Sequence, residues 1–88
     1  MSDSITILDT KGLRCPLPVL RARKSIKGIQ PGQVIEIQAT DPSSVKDFQA
    51  FCETTGHDLL DWREEAGVFV FHIRKAGERK AGEQSAPA

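Results

Sequence analysis

The chain has 88 residues and a mass of 9.7 kDa with 39% hydrophobic residues, which suffices for one small core and excludes a second domain. Twelve basic and 12 acidic side chains cancel to a net charge of zero, so the overall polyelectrolyte attraction of a dedicated nucleic-acid binder is not supported.

Residues 5–9 alternate Ile-Thr-Ile-Leu-Asp, a short strand pattern that Gly12 breaks. From Cys15 the chain opens a helix whose first turn holds Pro16 and Pro18, and Val19, Ala22, Ile26 and Ile29 follow at steps of three and four. This amphipathic helix is expected to end near Gly28, with Pro31 and Gly32 turning into the next element. Residues 34–40 alternate again, with Ile35, Ile37 and Ala39 on one face and Glu36, Gln38 and Thr40 on the other. Asp41-Pro42 predicts a second helix start, an acidic N-cap followed by proline at the first helical position. Val45, Phe48 and Cys52 then share one face, and Gly56 closes the helix. Residues 58–65 and 68–74 read as two strands joined by a turn at Gly67. Ala76 to Ala88 carries no large apolar residue and is expected to be a disordered tail beyond a domain spanning residues 1–75.

The order is therefore βαβαββ, an α+β fold. Two helices with one apolar stripe each cannot cover both faces of a four-stranded sheet, so both are expected on the same face of a mixed sheet, in an open two-layer α/β sandwich. Trp62 and Val70 are then candidates for the uncovered face, as ordinary surface area or as a partner site. The longest apolar run, Val68 to Phe71, is far below the roughly 20 residues a membrane-spanning helix needs. Residues 1–10 lack a basic stretch followed by an apolar one, which points to a cytoplasmic protein with two reduced thiols.

Charge is segregated along the chain. Between Asp9 and Glu36 stand Lys11, Arg14, Arg21, Arg23, Lys24 and Lys27 with no acid among them, whereas residues 36–65 are predominantly acidic. The basic side chains are either the solvated face of helix one or a docking surface for an acidic partner. At the head of that helix sits Cys15. A helix N-terminus and the neighbouring Arg14 both favour a thiolate, so a lowered pKa and a reactive sulfur are expected; the alternative is a small hydrophobe at a strand-to-helix corner. Cys52, late in its helix beside Glu53, reads as an inert core thiol. Parallel first and second strands would separate the two sulfurs by about 15 Å along the helix axes, too far for a disulfide. His57 and His72 make no metal-ligand spacing with the cysteines, and no phosphate-binding glycine motif occurs.

Leu8-Asp9, Gly12-Leu13-Arg14-Cys15-Pro16-Leu17-Pro18-Val19, Arg23-Lys24, Pro31-Gly32, Asp41-Pro42, Phe51-Cys52, His57 and Ile73-Arg74-Lys75 together resemble the TusA, or SirA-like, sulfur-carrier family over residues 8–75. The resemblance implies a βαβαββ sandwich and a sulfurtransferase in the carrier sense. Cys15 would accept sulfane sulfur as a persulfide from a cysteine desulfurase or rhodanese-like donor. A downstream relay protein would receive it, in the best-understood members for 2-thiolation of the tRNA wobble uridine, in others for molybdenum-cofactor synthesis or sulfur oxidation. Covalent persulfide sulfur on Cys15 is then the cargo, and no separate cofactor is implied. Gly12, Arg14, Pro16, Leu17, Pro18, Arg21, Arg23, Lys24 and Lys27 are the expected partner-binding residues. Leu17 stands where well-known members carry an acidic residue. A regulatory or RNA-binding module using the basic face of helix one is the competing reading, although one Trp, four Phe and no Tyr leave few stacking platforms.

Overall fold

The structure, a computed structural model, describes residues 5–77. Its elements are β1 (Thr6–Thr10), α1 (Leu17–Lys27), β2 (Val34–Ala39), α2 (Ser44–Thr55), β3 (Asp58–Glu65) and β4 (Val68–Arg74). The sheet order is β1-β2-β4-β3, with β1 parallel to β2 and β4 antiparallel to both of its neighbours.

Strand alternation sets the layers. Ile35, Ile37 and Ala39 of β2 are fully buried and pair across the sheet with Ile73, Phe71 and Phe69. Ala22 and Ile26 of α1, together with Phe48, Phe51 and Cys52 of α2, join these strand residues in a single cluster, so both helices cover one face. Phe48 rests on Phe71 with ring centroids 4.8 Å apart. Burying each such large side chain contributes roughly 1.5–3 kcal/mol.

The opposite face carries a polar lattice beside the exposed Ile7 of β1. Arg74 pairs with Asp58 at 2.9 Å and Arg63 with Glu65 at 2.9 Å. His72 lies between two carboxylates, its Nδ1 2.7 Å from Asp61 and its Nε2 3.1 Å from Glu36. Gln38 donates to the other Glu36 oxygen at 2.8 Å, and the Lys11 ammonium donates to Gln38 at 2.8 Å. Lys11 also pairs with Asp9 of β1 at 3.2 Å, so a connected chain of polar side chains reaches all four strands.

Five expectations need correction or limits. Trp62 lies on the helix-bearing face, stacked on Phe71 at 6.2 Å, because a bulge between Leu59 and Asp61 inserts one residue and reverses the alternation beyond it. Val70 does lie on the uncovered face, paired with Gln38, but is buried there. Asp41 is not the N-cap of α2: Ser43 holds that position, and the Asp41 carboxylate is engaged one step earlier. Ile29 lies beyond the end of α1 and packs on the core from the following turn. The expected tail falls outside the described residues from residue 78 onward, while the Ala76 N–H donates to His57 Nδ1 at 2.9 Å.

The hairpin turn is Ala66-Gly67, with φ of 51° and 83° between the paired Glu65 and Val68. Two positive φ values in a two-residue loop define a type I′ turn, in which alanine is strained and asparagine is favoured. Ala66→Asn is expected to stabilise the fold by about 0.5–1 kcal/mol in urea unfolding.

The two histidines titrate with opposite consequences. Hydrogen bonding to Asp61 and then Glu36 raises the His72 pKa above its ordinary 6.5 against a desolvation cost. Its stabilising contribution is therefore complete below that value and lost as pH rises through the raised native pKa. Burial and then Lys75 lower the His57 pKa, so the stability tied to its neutral ring is lost as pH falls. His72→Gln should destabilise more at about pH 5.5 than at about pH 9, and a pH-independent loss in urea titrations would refute the assignment.

Candidate functional site

Parallel pairing of β1 with β2, in register from Thr6↔Ile35 to Thr10↔Ala39, brings the loops that leave the two strands to one edge of the sheet. The first loop carries Cys15 and the second carries Asp41. Thr10, fully buried, donates its hydroxyl to the Gln38 carbonyl at 2.6 Å and fixes the point where the first loop departs. Gly12 follows with φ +85°, a conformation that disfavours any side chain, and its N–H reaches the Thr40 hydroxyl at 2.9 Å. Leu13 N–H closes a turn onto Thr10 O at 3.1 Å, and Leu17 N–H closes another onto Arg14 O at 2.8 Å. The Cys15–Pro16 peptide between them is cis.

Asp41 ties the loops together. Its Oδ2 accepts the Cys15 N–H at 2.6 Å, and its Oδ1 accepts both the Ser43 N–H and the Ser43 hydroxyl at 3.0 Å. One carboxylate therefore serves the cysteine loop with one oxygen and the start of α2 with the other. These bonds, that from the Cys15 N–H foremost, and the charge of Arg14 lower the Asp41 pKa and keep it ionised.

The sulfur itself is exposed and adjoins the N-cap of α1, Pro16, as expected. Its acidity runs opposite to expectation. The Asp47 carboxylate beside the thiol, as acceptor and as charge, pushes the Cys15 pKa up, with desolvation and Asp41 acting in the same direction and Ser43 against it. Arg14, expected to favour the thiolate, acts on Asp41 instead. Asp47 thus disfavours ionisation of the Cys15 sulfur, while Asp41 holds the Cys15 backbone in position. Cys52 is buried, and desolvation with Asp58 nearby pushes its pKa to about 11.

The residues singled out from sequence separate into three groups. Gly12 and Pro16 shape the loop, and Pro18 is fully buried, supporting the loop from within the core rather than offering a contact surface. Leu17 and Leu20 are 45% and 51% exposed, an apolar pair in the first turn of α1, the helix that follows Cys15. Arg14, Arg21, Arg23, Lys24 and Lys27 are all exposed, and Arg23 and Lys27 also border clefts against α2 and the residues after β4. The loop-tying role of Asp41, and Asp47 altogether, were missed; the parallel β1–β2 pairing is the signal that sets the Asp41 loop beside the cysteine loop.

Asp41→Ala should leave the far-ultraviolet circular dichroism unchanged while the Cys15 amide exchanges about tenfold faster or more, and Asp41→Asn should retain part of the protection. Unaltered exchange at Cys15 would contradict the tying role.

Residues 6–75 match the family described as Sulfurtransferase TusA. The sulfur carrier protein TusA of Allochromatium vinosum is 50% identical over 76 residues, covering 86% of this chain and 100% of that protein. A putative sulfur carrier protein of Neisseria meningitidis serogroup A is 49% identical over 67 residues, covering 76% of this chain and 90% of its own length. The crystal structure of a SirA-like protein from Desulfitobacterium hafniense superimposes with a TM-score of 0.71 at 25% identity, covering 84% of this chain and 100% of that one. On these matches the chain belongs to the TusA family of sulfur carriers.

Proposed function

We propose that Cys15 carries sulfane sulfur as a persulfide, received from a cysteine desulfurase or a rhodanese-like donor and handed to a relay protein. The observation that carries this reading is the contrast between two thiols: Cys15 is exposed and its backbone is held by Asp41, while Cys52 is buried in the core. In the accepting step the Cys15 sulfur, deprotonated, attacks the terminal sulfur of the donor persulfide. The donor's S–S bond breaks, a new S–S bond forms to Cys15, and the donor thiolate leaves and takes up the proton. Sulfur moves without net oxidation or reduction, so the carrier needs no second redox group.

Leu17 and Leu20 supply an apolar contact beside the sulfur, and Arg14, Arg21, Arg23, Lys24 and Lys27 steer an acidic partner toward it. The reading places the reaction in the cytoplasm, where thiols stay reduced, and takes the product served, the 2-thio group of the tRNA wobble uridine, from the family resemblance.

Incubation with a cysteine desulfurase and L-cysteine should add one sulfur atom to the intact protein, removable by reductant. Cys15→Ser should abolish the gain and Cys52→Ser should preserve it, both read by intact-protein mass spectrometry. Equal loading of the two variants, or no loading from either a desulfurase or a rhodanese with thiosulfate, would overturn the carrier assignment.

A further inference from the structure

Beside the Cys15–Pro16 loop, between α1 and α2, runs a cleft of about 240 Å³. Pro16, Val19, Ala50 and Phe51 give it apolar walls, and Arg23 and Asp47 contribute one charge of each sign from different helices. Among the described residues neither Arg23 nor Asp47 is in an ion pair. Asp47 also borders the Cys15 thiol, so the anionic end of the cleft is the end at the sulfur.

We propose that this cleft is a subsite for the α-amino-acid head group of a small persulfide such as cysteine persulfide, with its ammonium against Asp47 and its carboxylate against Arg23. The proposal rests on the carrier reading of Cys15 and adds a direct small-molecule donor to it. A zwitterionic head group answers both unpaired charges at once, with its ammonium at the end of the cleft nearer the sulfur.

Occupancy also changes the nucleophile. The charged groups around the Cys15 thiol are Asp47 and Asp41 from the α2 side and Arg14 from its own loop, and Asp47 is the main group opposing ionisation. An ammonium seated on Asp47 offsets that charge, so the thiolate becomes accessible when the donor is bound. The thiolate then attacks the terminal sulfur of the persulfide. The S–S bond of the donor breaks as the new one forms, and free cysteine leaves with the proton that Cys15 gave up.

Stable disulfides with the same head groups serve as probes. In a Cys52→Ser background, mixed-disulfide formation at Cys15 would be timed by intact mass with cystine, cystamine, dithiodipropionate and the neutral hydroxyethyl disulfide. Each rate is divided by the rate with the neutral disulfide on the same protein, and the ratios are compared with those of glutathione. Cystine should exceed dithiodipropionate by about fivefold beyond the glutathione ratio. Asp47→Asn should erase the advantage of the ammonium-bearing probes, and Arg23→Gln should erase the advantage of cystine over cystamine. Ratios equal to those of glutathione, or ratios unchanged in both variants, would overturn the subsite. Desulfurase loading of the same wild-type preparation separates the two ideas. Loading with flat ratios removes the subsite alone, whereas retained ratios without loading from a desulfurase or a rhodanese remove the carrier reading on which the proposal rests.

Discussion

Parallel pairing of β1 with β2 is the constraint from which the site follows. Because both strands run the same way, the chain must leave each at the same edge and return through a helix, so two loops distant in sequence meet. Asp41 turns that proximity into a fixed geometry by accepting the Cys15 N–H with one oxygen and Ser43 with the other. Both helices join one core cluster with the side chains of β2 and β4 through Ala22, Ile26, Phe48, Phe51 and Cys52. Packing, strand direction and one carboxylate together hold an exposed sulfur in place without burying it.

Exposure and restraint are in tension for a thiol, and the electrostatics show how the tension is handled. A sulfur at a helix start would ordinarily gain acidity. Here Asp47, a residue of the neighbouring helix, opposes that tendency at close range, and Arg14 is directed to Asp41 rather than to the sulfur. Asp47 therefore disfavours ionisation of the exposed Cys15 thiol in the free chain. Cys52 is removed from the chemistry by another route, desolvation within the core.

Local patterns were sufficient to read the order of elements, since alternation in residues 34–39 and three-four spacing in α1 record burial directly. The two terminal strands, Asp58–Glu65 and Val68–Arg74, were legible to the residue. Trp62 was misplaced because a bulge is a property of the pairing with β4 and leaves no mark in the composition of β3. Asp41 next to proline has the form of a helix cap, and only the neighbouring loop diverts its carboxylate. The acidity of Cys15 was misjudged for the same reason: Arg14 is adjacent in sequence, whereas Asp47 is adjacent in space. Position along the chain ranks charges by the wrong distance.

The bulge at Leu60 has a consequence for the whole molecule. β3 is an outer strand, and an outer strand of eight residues is a template on which another chain could add. The irregularity between Leu59 and Asp61 interrupts the even spacing of its free peptide groups, and Asp58, Asp61, Glu64 and Glu65 line it with negative charge. An incoming copy would meet its own acidic strand and a broken repeat. The insertion that reverses the side-chain pattern of β3 thereby also guards against aggregation along this border of the sheet.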